Sequence, residues 1–304
     1  MTRAEPRDLA ASVRSRLLAL AKTREEDFTF VLTRYGLERL LFRLGRSPHA
    51  NDFVLKGAML FPLWSGNPHR STMDLDLLGF GTPEADRLVR VFREVVAMPV
   101  SDGIEFLPDT VKAAPIREDA VYDGVRVIIE ARLAAARIHL QVYVGFGDAV
   151  SPTPREVAYP TLLDSSAPVL RAYPREAVVA EKLHAMVDLG LANSRMKDFF
   201  DLWFLATTFS FGGAALAESV RSTFTRRETA IPEAPPLALT SEFSEDSKKR
   251  VQWAAFVKKS RLADPSLDLA GVVAVLYKFL WPVLVALSKG GSVGTLWTIG
   301  DGWG

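Results

Sequence analysis

Residues 70–80 read RSTMDLDLLGF, and how this stretch is read decides the fold. Asp74 and Asp76 stand one residue apart in an otherwise apolar run. Alternation of this kind predicts a strand, in which residues i and i+2 share a face. Both carboxylates therefore point the same way, roughly 7 Å apart along the chain by the strand rise. Like charges held that close repel, so the arrangement calls for a metal ion, cationic neighbours or a solvated strand edge. A hard divalent cation suits two such carboxylates, since Mg2+ takes oxygen ligands and is commonly shared with substrate phosphates. The plainer reading is two surface acids on an exposed strand, although Leu75, Leu77 and Leu78 mark the strand as buried on one side.

Upstream, NDFVLKGAMLFPLW (51–64) is a short apolar run that meets Gly57 and then turns helical. A glycine at a strand-to-helix junction lets a phosphate approach backbone N–H groups, and Lys56 stands beside it. A simple tight turn accounts for the same residues equally well. Residues 8–21 and 26–44 carry apolar side chains at helical spacing, with Asp8 placed as an N-cap. Downstream, TPEADRLVRVFREVVAM has helical spacing with acids near its start. The middle is β-rich: GIEFL, TVKAAPI, GVRVIIEARLA and ARIHLQVYVGF are four strand candidates separated by Asp-, Gly- and Pro-containing breaks. In the last, Ile138, Leu140, Val142 and Val144 alternate with His139, Gln141 and Tyr143, a half-buried strand with one polar face.

From residue 174 the character changes. PREAVVAEKLHAMVDLGLA reads as a Pro-started helix, and SRMKDFFDLWFLATTF as a second with Ser194 as its cap. A polar, proline-bearing stretch fills 225–248, and two further helices close the chain. The expectation is an α+β protein: a mixed sheet with flanking helices over residues 1–165, then a helical domain over 166–304.

Composition narrows the function classes. The 304 residues are 48% hydrophobic and 24% charged, with a formal net charge of +1, an ordinary globular profile that neither favours nor opposes a nucleic-acid partner. There are no cysteines, which removes disulfides, thiolate zinc sites and cysteine nucleophiles and fits a reducing compartment. The amino terminus lacks a signal-peptide core. Residues 269–287, LAGVVAVLYKFLWPVLVAL, are near the short end for a membrane span and carry Lys278 and Pro282, so a buried helix is expected instead. These features point to a cytoplasmic protein without membrane association. No Gly-x-Ser-x-Gly, Walker loop or His-Glu-x-x-His is present.

Two further groups carry charge. Lys182 lies among apolar neighbours, where an ammonium either snorkels or pairs. Asp198 and Asp201 share a helix face at i, i+3, and Lys–Asp pairs linking two packed helices are the ordinary explanation. Later, Lys248, Lys249, Arg250, Lys258, Lys259 and Arg261 cluster with Trp253 and Phe256 interleaved, and Arg221, Arg226 and Arg227 lie upstream. Positive charge beside aromatics suits an RNA backbone with a stacked base; a solvated helix face is the alternative.

Taken together, LAASVRSRLLALA, RYGLERLLFRL, FVLKGAMLF, STMDLDLLGFG, YPREAVVAEKLHAMV and RMKDFFDLW resemble the AbiEii/AbiGii nucleotidyltransferase toxins, including the mycobacterial MenT enzymes, over nearly the whole chain. The resemblance implies a polymerase-β-like nucleotidyltransferase core with a helical appendage. It implies a toxin of a toxin–antitoxin pair that moves nucleotides, often pyrimidine ones, from a nucleoside triphosphate to the 3′ acceptor end of tRNA, with an AbiEi-like winged-helix antitoxin as partner. By position, Asp74 and Asp76 would hold Mg2+ (or Mn2+) and the triphosphate, and Lys182 would contact phosphates. Asp198 would be the catalytic acid with Asp201 as fallback. Lys56, Gly57 and Thr72 would line the nucleotide pocket, with Arg70 a weaker member. Two positions depart from the family pattern: Tyr143 stands where a third acid is expected on a neighbouring strand, with Asp148 the nearest acid, and Ala58 follows Gly57 where a serine is common.

Overall fold

In the computed structural model, which describes residues 8–66, 68–70, 72–116, 124–260, 266–291 and 293–304, the chain forms two units. One comprises Met1–Gly147 with Arg155–Ala172, the other Asp148–Pro154 with Tyr173–Gly304.

The first unit opens with α1 (Leu9–Thr23), capped by Asp8, whose carboxylate accepts the Ala11 N–H at 3.3 Å. Asp27 caps α2 (Phe28–Arg46) in the same way, taking the Thr29 N–H at 2.7 Å. Then come β1 (Phe53–Lys56), a 3-10 turn (Gly57–Leu60), the short α3 (Phe61–Ser65), β2 (Asp74–Gly79) and α4 (Ala85–Ala97). The unit ends in β3 (Ile104–Pro115), β4 (Gly124–Leu133), β5 (Ala136–Phe146), β6 (Arg155–Ala158) and β7 (Val169–Ala172). The seven strands make one sheet in the order β3-β4-β5-β2-β1-β7-β6. It is mixed: β2 runs parallel to β5 and β1 to β7, and the other neighbours are antiparallel.

Helix α2 packs on β5 and β7, α1 on β4 and α4 on β3. The predicted alternation in β5 places buried Ile138, Leu140, Val142 and Val144 on one face. A Cβ at Gly36 would stand 3.1 Å from a Leu140 methyl, so glycine lets α2 lie close against the strand. Arg43 of α2 forks onto both oxygens of buried Asp102, at 2.7 and 3.2 Å, and Tyr35 donates its hydroxyl to the Asp102 carbonyl. A bidentate guanidinium–carboxylate pair is the geometry in which a buried charge pair is best satisfied. It ties α2 to the segment leading into β3.

Two departures from the sequence expectation have physical causes. GIEFL and TVKAAPI are parts of a single strand, β3, whose register shifts between Leu107 and Lys112. The sequence pattern makes Pro108 a break; at a bulge in an edge strand its missing N–H costs no ladder bond. The strands β6 and β7, four residues each, are too short for alternation to reveal. Because β7 pairs with β1, residues 166–172 belong with the sheet and the seam falls after Ala172, whereas the sequence expectation sets it at 165/166.

The second unit contains α5 (Arg175–Leu189), α6 (Met196–Thr208), β8 (Phe211–Gly212), α7 (Gly213–Arg226), α8 (Ser241–Glu245), α9 (Ser247–Ser260), α10 (Leu269–Ser288), β9 (Leu296–Thr298) and β10 (Gly302–Trp303). Ser194 is not the cap of α6. Arg195 holds that position, and the side chain of Asn193 accepts its N–H at 2.8 Å. The unit is also not wholly helical: β8, β9 and β10 form a small antiparallel sheet, anchored where Trp297 donates to the Ala206 carbonyl and Trp303 to that of Phe279. Among the described residues, α10 alone is long and apolar enough to cross a membrane by length and composition, and 50% of that window is buried inside the unit. Val272, Leu276, Phe279, Leu280, Val283 and Leu284 are buried, and α10 packs on α6, α7 and α8.

One buried acid makes the stability of the first unit depend on pH. Glu38 is 1% exposed; it accepts the Leu162 N–H at 2.7 Å and lies 3.1 Å from Arg39. Burial raises its pKa from 4.5 to about 7, partly offset by these partners. A raised carboxyl contributes stability that is full below about 4.5 and is lost as pH climbs through about 7. We therefore expect Glu38→Gln to gain up to about 3 kcal/mol on wild type between about pH 5 and pH 8. Urea unfolding at both pH values checks this; no change in the difference would mean that the Arg39 charge offsets the desolvation.

Candidate active site

Strand β2 sits in the interior of the sheet, with β5 on one side and β1 on the other. Leu75 and Leu77 are buried on one face while Asp74 and Asp76 stand half-buried on the other, as the alternation predicts. Register then fixes their company, because cross-strand partners share a face. Lys56 of β1 is opposite Asp76. On β5, Tyr143 is opposite Asp76 and Gln141 opposite Asp74. Five polar side chains drawn from three separate stretches of sequence thus meet on one face. Tyr143 donates its hydroxyl to the Gln141 side-chain oxygen at 3.1 Å.

Gly57 comes after Lys56 at φ +74°, a conformation that costs a side-chain-bearing residue about 1–2 kcal/mol. A Cβ there would also fall 2.0 Å from Asp76 Oδ2. On the side where a Cβ would stand, Gly57 lies directly against the Asp76 carboxylate. The chain continues into a single 3-10 turn and a five-residue helix, so little helix dipole is aimed at this point. Lys56 extends over the same face, its Nζ 3.9 Å from where a Cβ of Gly145 on β5 would be. Its ammonium therefore reaches across β2. Thr72 lies just before the strand, its hydroxyl 3.4 Å from the Asp74 carbonyl. Arg70 is in the same loop, which is anchored by His69 stacked on Phe61 at 3.6 Å.

In the second unit, Lys182 of α5 is clamped by two carboxylates of α6: it is hydrogen-bonded to Asp198, and its Nζ is 2.9 Å from Asp201 Oδ2. The i, i+3 spacing of the acids puts both on the side of α6 that meets α5. Asp201 is fully buried and Asp198 nearly so. Asp198 stands in the first turn of α6, where the helix dipole favours an anion.

Asp148, considered from sequence as a substitute third acid, lies in this unit and accepts from Arg227 at 2.9 Å. Arg227 also donates to His184 Nδ1 at 3.2 Å, and His184 Nε2 meets the Thr229 hydroxyl at 2.8 Å. Burial first, and the Arg227 charge second, lower the His184 pKa. His184 thus joins Arg227 and Thr229 in one hydrogen-bonded network.

The predicted RNA track along α9 is only partly available. Lys249 is buried, its ammonium donating to the Asn193 carbonyl at 2.8 Å and lying 5.3 Å from the centre of the Phe243 ring. Trp253 is buried with its indole N–H on the Leu267 carbonyl. Both are largely withdrawn from solvent. Lys248, Arg250, Lys258 and Lys259 are exposed, and Arg261 lies outside the described residues.

The sequence profile of the AbiEii nucleotidyl transferase toxin of type IV toxin–antitoxin systems matches residues 39–279, most of the chain. That match sets the class, a nucleotidyltransferase. The chain belongs to the AbiEii toxin family, whose members are paired with a cognate antitoxin. No curated protein matches the chain. Solved structures that resemble it include a candidate nucleotidyltransferase from Helicobacter pylori, 19% identical, spanning 86% of this chain and 96% of that one at a TM-score of 0.49. JHP933 from Helicobacter pylori is also 19% identical, over 84% and 91%, at 0.46.

The Asp74–Asp76 pair fits a divalent ion by its chemistry: hard oxygen donors on one face, with Asp76 seated in a cradle that a Cβ at position 57 would fill. Among the described residues no group of three or more His, Cys, Asp or Glu is placed to hold a metal. Two variants test the geometry. Gly57→Ala should displace Asp76, cutting nucleotide transfer at least about 100-fold for roughly 1–3 kcal/mol of stability. Lys182→Met should cost about 3–5 kcal/mol, because two buried carboxylates lose their cation; chemical denaturation of both variants gives the comparison.

Proposed function

We propose that this toxin transfers a pyrimidine nucleotide from a nucleoside triphosphate to the 3′ acceptor end of tRNA in the cytoplasm, blocking aminoacylation and so translation. One observation carries the reading: the register that sets Asp74, Asp76 and Lys56 on one face of the sheet. Asp74 and Asp76 would hold Mg2+ (or Mn2+) against the triphosphate, where it would neutralise phosphate charge and align the α-phosphorus for in-line attack. In the transfer the terminal hydroxyl oxygen of the acceptor bonds to the α-phosphorus, the α–β phosphoanhydride breaks, pyrophosphate leaves and a carboxylate takes the hydroxyl proton. Lys56 supplies a fixed positive charge beside the two aspartates, and Arg70 and Thr72 line the approach to the strand. Lys182 is assigned to phosphate, a use of lysine as a point charge. Asp198 is the catalytic acid, with Asp201 as its alternative; both assignments rest on the sequence resemblance. The antitoxin is assigned to the AbiEi-like winged-helix type on the same ground.

The burial of Lys249 and Trp253 favours a second reading of the acceptor, a small molecule or a protein hydroxyl, since it withdraws one of the lysines and one of the two aromatics expected along α9. Incubation with each labelled nucleoside triphosphate, Mg2+ and total tRNA decides between them. Label should enter RNA with a pyrimidine nucleotide and fall at least about 100-fold in Asp76→Asn, the scale of a lost transition-state charge contact. Label on protein alone would support the second reading, and no label with any nucleotide would overturn both.

Reversing Lys248, Lys258 and Lys259 to glutamate tests the surviving basic face. If α9 tracks the acceptor, tRNA binding weakens and its salt dependence loses about 2–3 units of slope. Undiminished transfer at physiological salt would remove α9 from the acceptor site.

A further inference from the structure

We propose that the β2 face holds a single divalent ion, and that Tyr143 and Lys56 together exclude a second. The inference rests on the metal reading of Asp74 and Asp76 and concerns what surrounds them. A pair of divalent ions about 3.5–4 Å apart is the common arrangement for in-line displacement at phosphorus. Each ion needs carboxylate oxygens, and the doubled positive charge must be offset.

The register shows what is available. On β5 the positions sharing the aspartate face are Arg137, His139, Gln141, Tyr143 and Gly145, none of them a carboxylate. The nearest acid on β4 with this facing is Glu130, opposite His139 and hydrogen-bonded to it at 2.6 Å. That pair is four residues along β5 from Tyr143, about 13 Å by the strand rise. A phenol occupies the place directly beside Asp76. Its hydroxyl donates to the Gln141 side-chain oxygen, and it offers no carboxylate to an ion beside Asp76. On the other flank, Lys56 carries its ammonium over β2 to 3.9 Å from where a Cβ of Gly145 would stand. A second divalent ion would meet this cation at close range without a third carboxylate from β5 to offset it. Before a nucleotide joins, two carboxylates, one divalent ion and one ammonium sum to +1; a second ion would raise this to +3 with no further β5 carboxylate on the face to ligate it.

Nucleotide transfer here would then run with one ion, Lys56 standing in permanently for the charge that a second ion brings elsewhere. Electron paramagnetic resonance of the full chain with Mn2+ and a non-hydrolysable nucleoside triphosphate analogue reads the count directly. Wild type should give the hyperfine pattern of an isolated ion. Tyr143→Asp should convert it to the exchange-coupled spectrum of two neighbouring ions, with Tyr143→Glu as the second route if the shorter acid misplaces its oxygens. A coupled spectrum in wild type overturns the inference, as does an isolated-ion spectrum in both folded Tyr143 variants. Enzyme that retains no Mn2+ beyond the nucleotide's own, with Asp76→Asn indistinguishable from wild type, overturns the metal reading of the aspartates itself.

Discussion

The demand placed on one six-residue strand organises the first unit: β2 must bury one face and carry two carboxylates on the other. Leu75 and Leu77, both fully buried, hold it in the sheet by the hydrophobic effect, and without them two adjacent charges would favour a solvated edge. An interior strand has neighbours on both sides, and its register with them is dictated by which face is apolar. A slip of one residue would bury Asp74 and Asp76 and expose the leucines, so the packing of the core and the composition of the polar face are one constraint. Lys56, Gln141 and Tyr143 arrive beside the aspartates as a consequence of that register.

Gly57 shows how tightly the constraint is drawn. The chain must leave β1 at a positive φ and pass so near Asp76 that no side chain fits between. Its local sequence, Lys-Gly-Ala, suggests a strand-to-helix junction open to phosphate. The long-range pairing of β1 with β2 sets a carboxylate against the glycine where a Cβ would stand, a fact that no local pattern contains. The clamp around Lys182 obeys a similar logic in the second unit. Apolar neighbours and the i, i+3 acids are legible as a charged pair between helices, and the structure makes that pair with Asp201 wholly buried. Such an arrangement is costly to break and gives weak net stabilisation when intact, which leaves room for a chemical reason to retain it.

Much of the fold is legible because its signals are local. The cap at Asp8, the alternation of β5 and the apolar run of α10 each declare themselves within one element. The hidden parts depend on partners distant in sequence. Strands β6 and β7 are held by pairing with each other and with β1, and Pro108 is tolerated only because β3 is an edge. The site divides in the same way. The shared face of Asp74 and Asp76 can be read from spacing alone, whereas Tyr143 becomes their direct neighbour only through the parallel register of β2 with β5.

The basic run on α9 makes the sharpest case for geometry over composition. Successive residues on a helix turn by about 100°, so a run of Lys-Lys-Arg cannot present one charged face. Lys248 and Arg250 go to solvent while Lys249 between them is drawn inward to the Asn193 carbonyl and the Phe243 ring. With Trp253 also turned into the interior, the cluster loses one of its two aromatic members and part of its charge, and Phe256 stays half-buried. A chain of net charge +1 has little long-range field to steer a polyanion. Recognition of an RNA acceptor would therefore have to come from short-range contacts, and Lys248, Lys258 and Lys259 are the exposed lysines of the run that this helix can still offer.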